Sequence, residues 1–104
     1  MPLWTLEQAC LFCARLHEHL ILFGYDIGLA GGVLLRGKSE KDIDIIIYPL
    51  KKISSNFNAM RASLPDFGLK FVRLPNENLG YPDDGKHVEV WEFEGKRIDL
   101  FFLN

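Results

Sequence analysis

Cysteine is scarce in this sequence, basic charge is in no surplus, and no apolar run is long. Cys10 and Cys13 are the only cysteines among 104 residues. A C-x-x-C pair raises a zinc or thiol–disulfide reading. A structural zinc site needs four ligands, and no second pair exists. A redox pair opens a helix after a strand, whereas this one lies inside a periodic apolar stretch. The two are expected to be buried free thiols in a reducing, cytoplasmic setting. Twelve Lys and Arg against fourteen Asp and Glu leave a formal charge of -2. That argues against a protein built mainly to grip a nucleic-acid backbone. The N-terminus lacks a basic segment followed by an unbroken apolar run, so no signal peptide is expected. No stretch approaches a membrane span. There is no low-complexity tract, repeat or linker. The length and ordinary composition, 48% hydrophobic and 25% charged, predict one domain over residues 1–104 with one core.

Thr5 followed by Gln8 has the spacing of a capping box, and Glu7 puts negative charge in the first turn. Leu6, Ala9, Cys10, Cys13, Leu16, Leu20 and Phe23 then recur at three- and four-residue intervals. That predicts an amphipathic helix ended by Gly24. Residues 25–30 read as a strand broken by Gly31-Gly32, 33–36 as a short helical turn and 37–41 as a polar loop. Residues 42–48, D-I-D-I-I-I-Y, are the strongest strand, and the unbroken Ile45-Ile46-Ile47 run predicts cover on both faces. Ser54 or Ser55 is expected to cap a second helix, with Phe57, Met60 and Leu64 inward, ended by Pro65 and Gly68. Residues 69–74 read as a strand, 75–86 as a loop and 87–93 as an alternating strand. Glu94-Gly95-Lys96 reads as a tight turn and 97–103 as the last strand. This order predicts an α/β (α+β) domain, with a mixed sheet of about five strands and helices mainly on one side.

Asp42 and Asp44 are two apart on a strand, so their carboxylates emerge on one face. Two anions side by side on an apolar strand are unfavourable unless a cation or strong donors compensate. Upstream, Gly31-Gly32 lets backbone N–H groups approach a phosphate closely, and a helical turn from Val33 would add its N-terminal dipole. Arg36, Lys38 and Lys41 follow within reach of the same turn. His87 stands beside Asp83-Asp84 and reads as a second metal cluster or as a polar loop. His17 and His19 read as surface residues, and Trp4, Tyr81 and Trp91 as core or interface aromatics.

Leu29-Ala30-Gly31-Gly32, a nine-residue gap and Asp42-Ile43-Asp44-Ile45 resemble the signature of the DNA polymerase β-type nucleotidyltransferase superfamily. That signature is a hydrophobic residue, Gly, Gly or Ser, a variable stretch, then two acids flanked by hydrophobics. Residues 31–45 are also similar to the head of tRNA CCA-adding enzymes and to small stand-alone nucleotidyltransferases. In the family a third carboxylate follows on a later strand between hydrophobics, and Asp99 in Arg97-Ile98-Asp99-Leu100-Phe101 fits that description. Glu89 on the adjacent strand competes with Asp99 for that place, and a plain ion pair of Asp99 with Arg97 or Lys96 is the other reading.

The resemblance covers about residues 24–49 and the Asp99 strand. It implies that Asp42, Asp44 and Asp99 hold one or two Mg2+ ions, with Asp99 alternatively activating the attacking hydroxyl. Gly31, Gly32, Arg36 and Lys41 are the candidates for contacting the nucleoside triphosphate. The implied reaction moves an NMP such as AMP from an NTP to an acceptor on a protein, RNA or small molecule. Magnesium suits this because it takes oxygen ligands and neutralises charge developing on phosphate oxygens. Two departures stand out. Lys41 occupies the place before the first acid where many members have Ser or Asp. The chain also stops after the Asp99 strand, whereas larger members continue into a helical domain. A homodimer or partner protein is expected to supply that wall. The alternative is a catalytically degenerate module of the same fold that binds a nucleotide or a partner protein.

Overall fold

In the computed structural model the described residues are 4–30, 37–39, 42–50, 56–74 and 86–103. The capping box closes as the sequence predicts: Gln8 N donates to Thr5 Oγ1 and Thr5 N to Gln8 Oε1, both at 3.1 Å. Helix α1, Leu6–Leu20, runs into a 3₁₀ turn, Ile21–Phe23, and Gly24 stops it at φ 84°. Its buried stripe is Ala9, Phe12, Leu16 and Leu20. Phe12 was not in the sequence-derived stripe, and Cys10 was. Each residue turns the helix by about 100°, which carries Cys10 off the Ala9 row and into solvent. The expectation of two buried thiols is therefore corrected: both are free, Cys10 is exposed and Cys13 is half-buried. Burial first, and the neighbouring Cys10 second, push the Cys13 thiol up to about 11.

The short strand β1, Trp4–Thr5, precedes α1. It pairs antiparallel with β3, Lys38–Ser39, where a polar loop was expected. The reason is the Trp4 anchor. Its ring is buried, edge-on to Phe12 at 5.5 Å, and its indole Nε1 donates to the Arg97 carbonyl at 3.0 Å.

The main sheet has the order β2-β4-β7-β6-β5. Strand β2 is Tyr25–Ala30, β4 is Asp42–Pro49, β5 is Leu69–Arg73, β6 is Lys86–Phe93 and β7 is Lys96–Leu103. Only β4 and β7 run parallel among the described neighbours; the other pairs are antiparallel. Helix α2, Phe57–Phe67, is capped by the Asn56 side chain, which accepts from Ala59 N at 3.0 Å. Ser54 and Ser55, the expected caps, lie outside the described residues. Pro65 sits within the last turn of the helix rather than ending it, and Gly68 is the cap. Phe57, expected to face inward, is 37% exposed, with its ring edge-on to Phe102 at 5.3 Å.

Both helices pack on one side of the sheet. Ile43, Ile45 and Ile47 of β4 join Ile98, Leu100 and Phe102 of β7 in a core with Leu16, Leu20, Met60 and Leu64. Asp42, Asp44 and Ile46 alternate to the other face and are only half-buried. Cover on both faces of β4 is thus corrected, among the described residues, to a buried face and a half-buried one; the strand alternates, and the two described helices lie on one side. The class is α+β, with a five-stranded mixed sheet and, among the described residues, two α-helices.

Two glycines have conformational work to do. Glu94 and Gly95 both have positive φ, 51° and 79°, as a two-residue type I′ hairpin turn requires. Gly68 caps α2 at φ 110°, and an added Cβ would lie 3.2 Å from the Phe93 ring. Gly68→Ala is expected to cost about 1–2 kcal/mol from backbone strain. A thermal melt checks it; a wild-type melting temperature would contradict that assignment.

Candidate metal centre

The acids meet because of strand pairing. On β4, alternation sends Asp42 and Asp44 away from the helices. On β7, Ile98, Leu100 and Phe102 point into the core, so Arg97 and Asp99 point the other way. The parallel register sets Asp42 opposite Arg97 and Asp44 opposite Asp99. Carboxylate oxygens of Asp42, Asp44 and Asp99 all lie within 4.8 Å of one another, and each residue is half-buried. Oxygens around a magnesium ion at 2.0–2.1 Å are separated by about 3–4 Å, so small side-chain adjustments close such a shell. All-oxygen donors of this kind suit a hard divalent cation.

The electrostatics are uneven across the three acids. Burial, then the charges of Asp42 and Asp99, push Asp44 up to about 6, with Arg97 opposing them. Arg97 itself is clamped onto Asp99: Nε donates to Oδ1 at 2.9 Å and Nη2 to Oδ2 at 3.3 Å. The same Nε lies 3.7 Å from Asp42 Oδ2. The hydrogen bonds to Asp99, and the surrounding carboxylates, hold the guanidinium above its ordinary value despite some burial. So Asp99 does both things weighed from the sequence. It joins the acid cluster, and it pairs with Arg97.

Glu89 does not compete for the third position. It pairs across the sheet with Leu100, while Val90 is the residue opposite Asp99. Its carboxylate is 3% exposed and lies on the helix side. Oε1 accepts from Trp91 Nε1 at 2.8 Å and from Arg61 Nε at 3.1 Å. Oε2 accepts from Arg61 Nε at 2.9 Å and meets His87 Nε2 at 2.8 Å. Burial pushes Glu89 up, but the bonds from Trp91, Arg61 and His87 more than offset it and hold the carboxyl below its ordinary range. Arg61 carried no signal in the sequence. Its guanidinium lies 5.4 Å from the Phe71 ring centre and 5.6 Å from that of Trp91. His87 therefore belongs to this network, and Asp83 and Asp84, its suggested partners, lie outside the described residues. His17 and His19, expected on the surface, are each partly buried and bonded, to Asp26 at 2.7 Å and Ser63 at 2.8 Å.

Gly31, Gly32, Arg36 and Lys41 also lie outside the described residues. Chain connectivity still bears on the glycines: Ala30, which precedes Gly31, is the register partner of Asp44. A cavity of about 220 Å³, lined by Trp4, Phe12, Arg15, Phe67, Phe93 and Lys96 among others, contains none of the three acids. No described helix is long and apolar enough to cross a membrane. No family model matches the chain, and no curated protein matches it.

Proposed function

We propose that this protein is a magnesium-dependent nucleotidyltransferase that moves an NMP from an NTP to an acceptor hydroxyl. One observation carries the reading: three carboxylates from two parallel strands converge on one sheet face, beside the strand end that leads into Gly31-Gly32. The core side of those strands is apolar, so nothing about folding alone calls for three acids there. Asp42 and Asp44 hold a divalent ion between adjacent positions of one strand. Asp99 takes a further ligand position or accepts the proton of the attacking hydroxyl. The ion would supply positive charge against the phosphate oxygens. Among the described residues, the three carboxylates and the Arg97 guanidinium sum to two negative charges, a charge that suits a divalent ion.

The test is calorimetric titration with MgCl2 and with Mg-ATP, followed by assay of pyrophosphate release on adding candidate acceptors. Saturable, carboxylate-dependent binding of Mg-ATP is expected. A specific observation favours a second reading, the degenerate binding module: Arg97 already supplies Asp99 with a cation. That reading predicts no dependence of nucleotide or partner binding on divalent metal, and the same titration separates the two.

A further inference from the structure

Arg97 engages two of the three acids that a metal ion at this cluster would need. Its fork spans both oxygens of Asp99, and its Nε reaches toward Asp42. Both are members of the three-acid cluster. An arginine–carboxylate fork is among the stronger and more directional ion pairs. The backbone of Arg97 is fixed, since its amide lies in the β7 ladder and its carbonyl accepts from the Trp4 indole at 3.0 Å. Its side chain is not enclosed: it is 40% exposed, so rotation about its own torsions carries the guanidinium outward without moving the strand.

Resting on the metal-site reading above, we infer that Arg97 is a built-in competitor for the metal, a resident cation that a divalent ion must displace from Asp99. Two effects make the competition real. A unit positive charge at ion-pair distance opposes a divalent cation strongly even at an effective dielectric of about 20. The fork also uses the oxygen edge of Asp99 that a metal ligand would present. Metal affinity of the resting protein is therefore set below what three converging carboxylates would otherwise give. Asp42 and Asp44 take up the ion first, and Asp99 joins as Arg97 leaves.

The experiment is Mn2+ titration, read by the electron paramagnetic resonance signal of free Mn2+, on wild type, Arg97→Met and the Arg97→Met/Asp99→Asn double variant. Arg97→Met is expected to bind Mn2+ at least about tenfold more tightly than wild type, and the double variant to lose that gain. Equal or weaker affinity in Arg97→Met, with measurable binding in both proteins, overturns the competitor role and leaves the metal site standing. Absence of Mn2+ binding in every protein overturns the metal site and the competitor together. A second measurement needs no variant: the Arg97 Nε–H resonance of wild type, followed by NMR during Mg2+ titration. Loss of its hydrogen-bonded shift at saturation is expected, and an unmoved resonance at saturating Mg2+ overturns the displacement.

Discussion

Asp44→Asn is expected to make the metal-free protein more stable and the metal-loaded protein less stable than wild type, so that the order of melting temperatures reverses on adding divalent ion. Asp44 sits between two other carboxylates and is pushed up to about 6 by burial and by their charges. An acid raised in the folded state destabilises that state once ionised. Well below its ordinary value of 3.8 it is protonated in folded and unfolded chains alike and contributes nothing. Between its ordinary value of 3.8 and about 6 the penalty grows, and above that it is constant. One pKa unit corresponds to about 1.4 kcal/mol, and a half-buried position is partly screened by solvent, so the net gain for Asp44→Asn at pH 7 is about 1 kcal/mol. In metal the sign changes. An ion bound only by the folded state adds about 2.7 kcal/mol at one hundred times its dissociation constant, and the variant forgoes it. Melts of both proteins at pH 4 and 7, with and without MgCl2, read the crossing. An equal Mg2+-induced rise in the two proteins would remove Asp44 from the ligand set.

The second large effect lies on the opposite face. Glu89→Ala is expected to destabilise the fold by about 2–3 kcal/mol, a fall in melting temperature on the order of 10–20 °C for a domain this size. The carboxylate is the shared acceptor for Trp91, Arg61 and His87. Its removal leaves the buried indole N–H with no acceptor, whereas Arg61, 39% exposed, and His87, 51% exposed, regain water. That exposure places the loss below the full cost of an orphaned buried ion. Glu89 is held below its ordinary value of 4.5, so its stabilisation is present above that pH and is lost as pH falls through the lower folded value. Wild type and Glu89→Gln should therefore converge in stability below about pH 4.5, in the opposite sense to the Asp44 pair. Mn2+ affinity should stay unchanged in Glu89→Gln, because the residue and the acid cluster lie on different faces. A loss of metal binding with the fold intact would contradict this separation.

Much of this architecture is written in local signals. Thr5 and Gln8 specify where α1 begins, and Gly24 and Gly68 where the helices stop, because each satisfies an end group of its own helix. The alternation of Asp42, Ile43, Asp44 and Ile45 puts both acids on one face before any partner strand is known. The exclusion of Glu89 was not legible in this way. The sequence reads a three-residue turn, Glu94-Gly95-Lys96, which would set Glu89 on the Asp99 face, whereas the chain turns on Glu94-Gly95 alone, and with Phe93 opposite Lys96 Glu89 lies opposite Leu100, on the other face from Asp99. The same parity places Arg97 on the Asp99 face.

Other features are properties of the assembled fold. The pairing of β4 with β7 joins residues more than fifty positions apart, and backbone ladder bonds do not distinguish one residue type from another. That register is set when the Ile43, Ile45 and Ile47 row packs with Ile98, Leu100 and Phe102 under two helices. From it follow Asp44 beside Asp99 and Asp42 beside Arg97. Helix packing likewise turns Arg61 onto Glu89 and leaves Phe57 at the surface. Trp4 recruits Lys38–Ser39 into a strand because it docks on a carbonyl ninety-three residues away. Side-chain type and spacing choose each element and the face it presents; long-range burial chooses which faces meet, and so which charges must share one site.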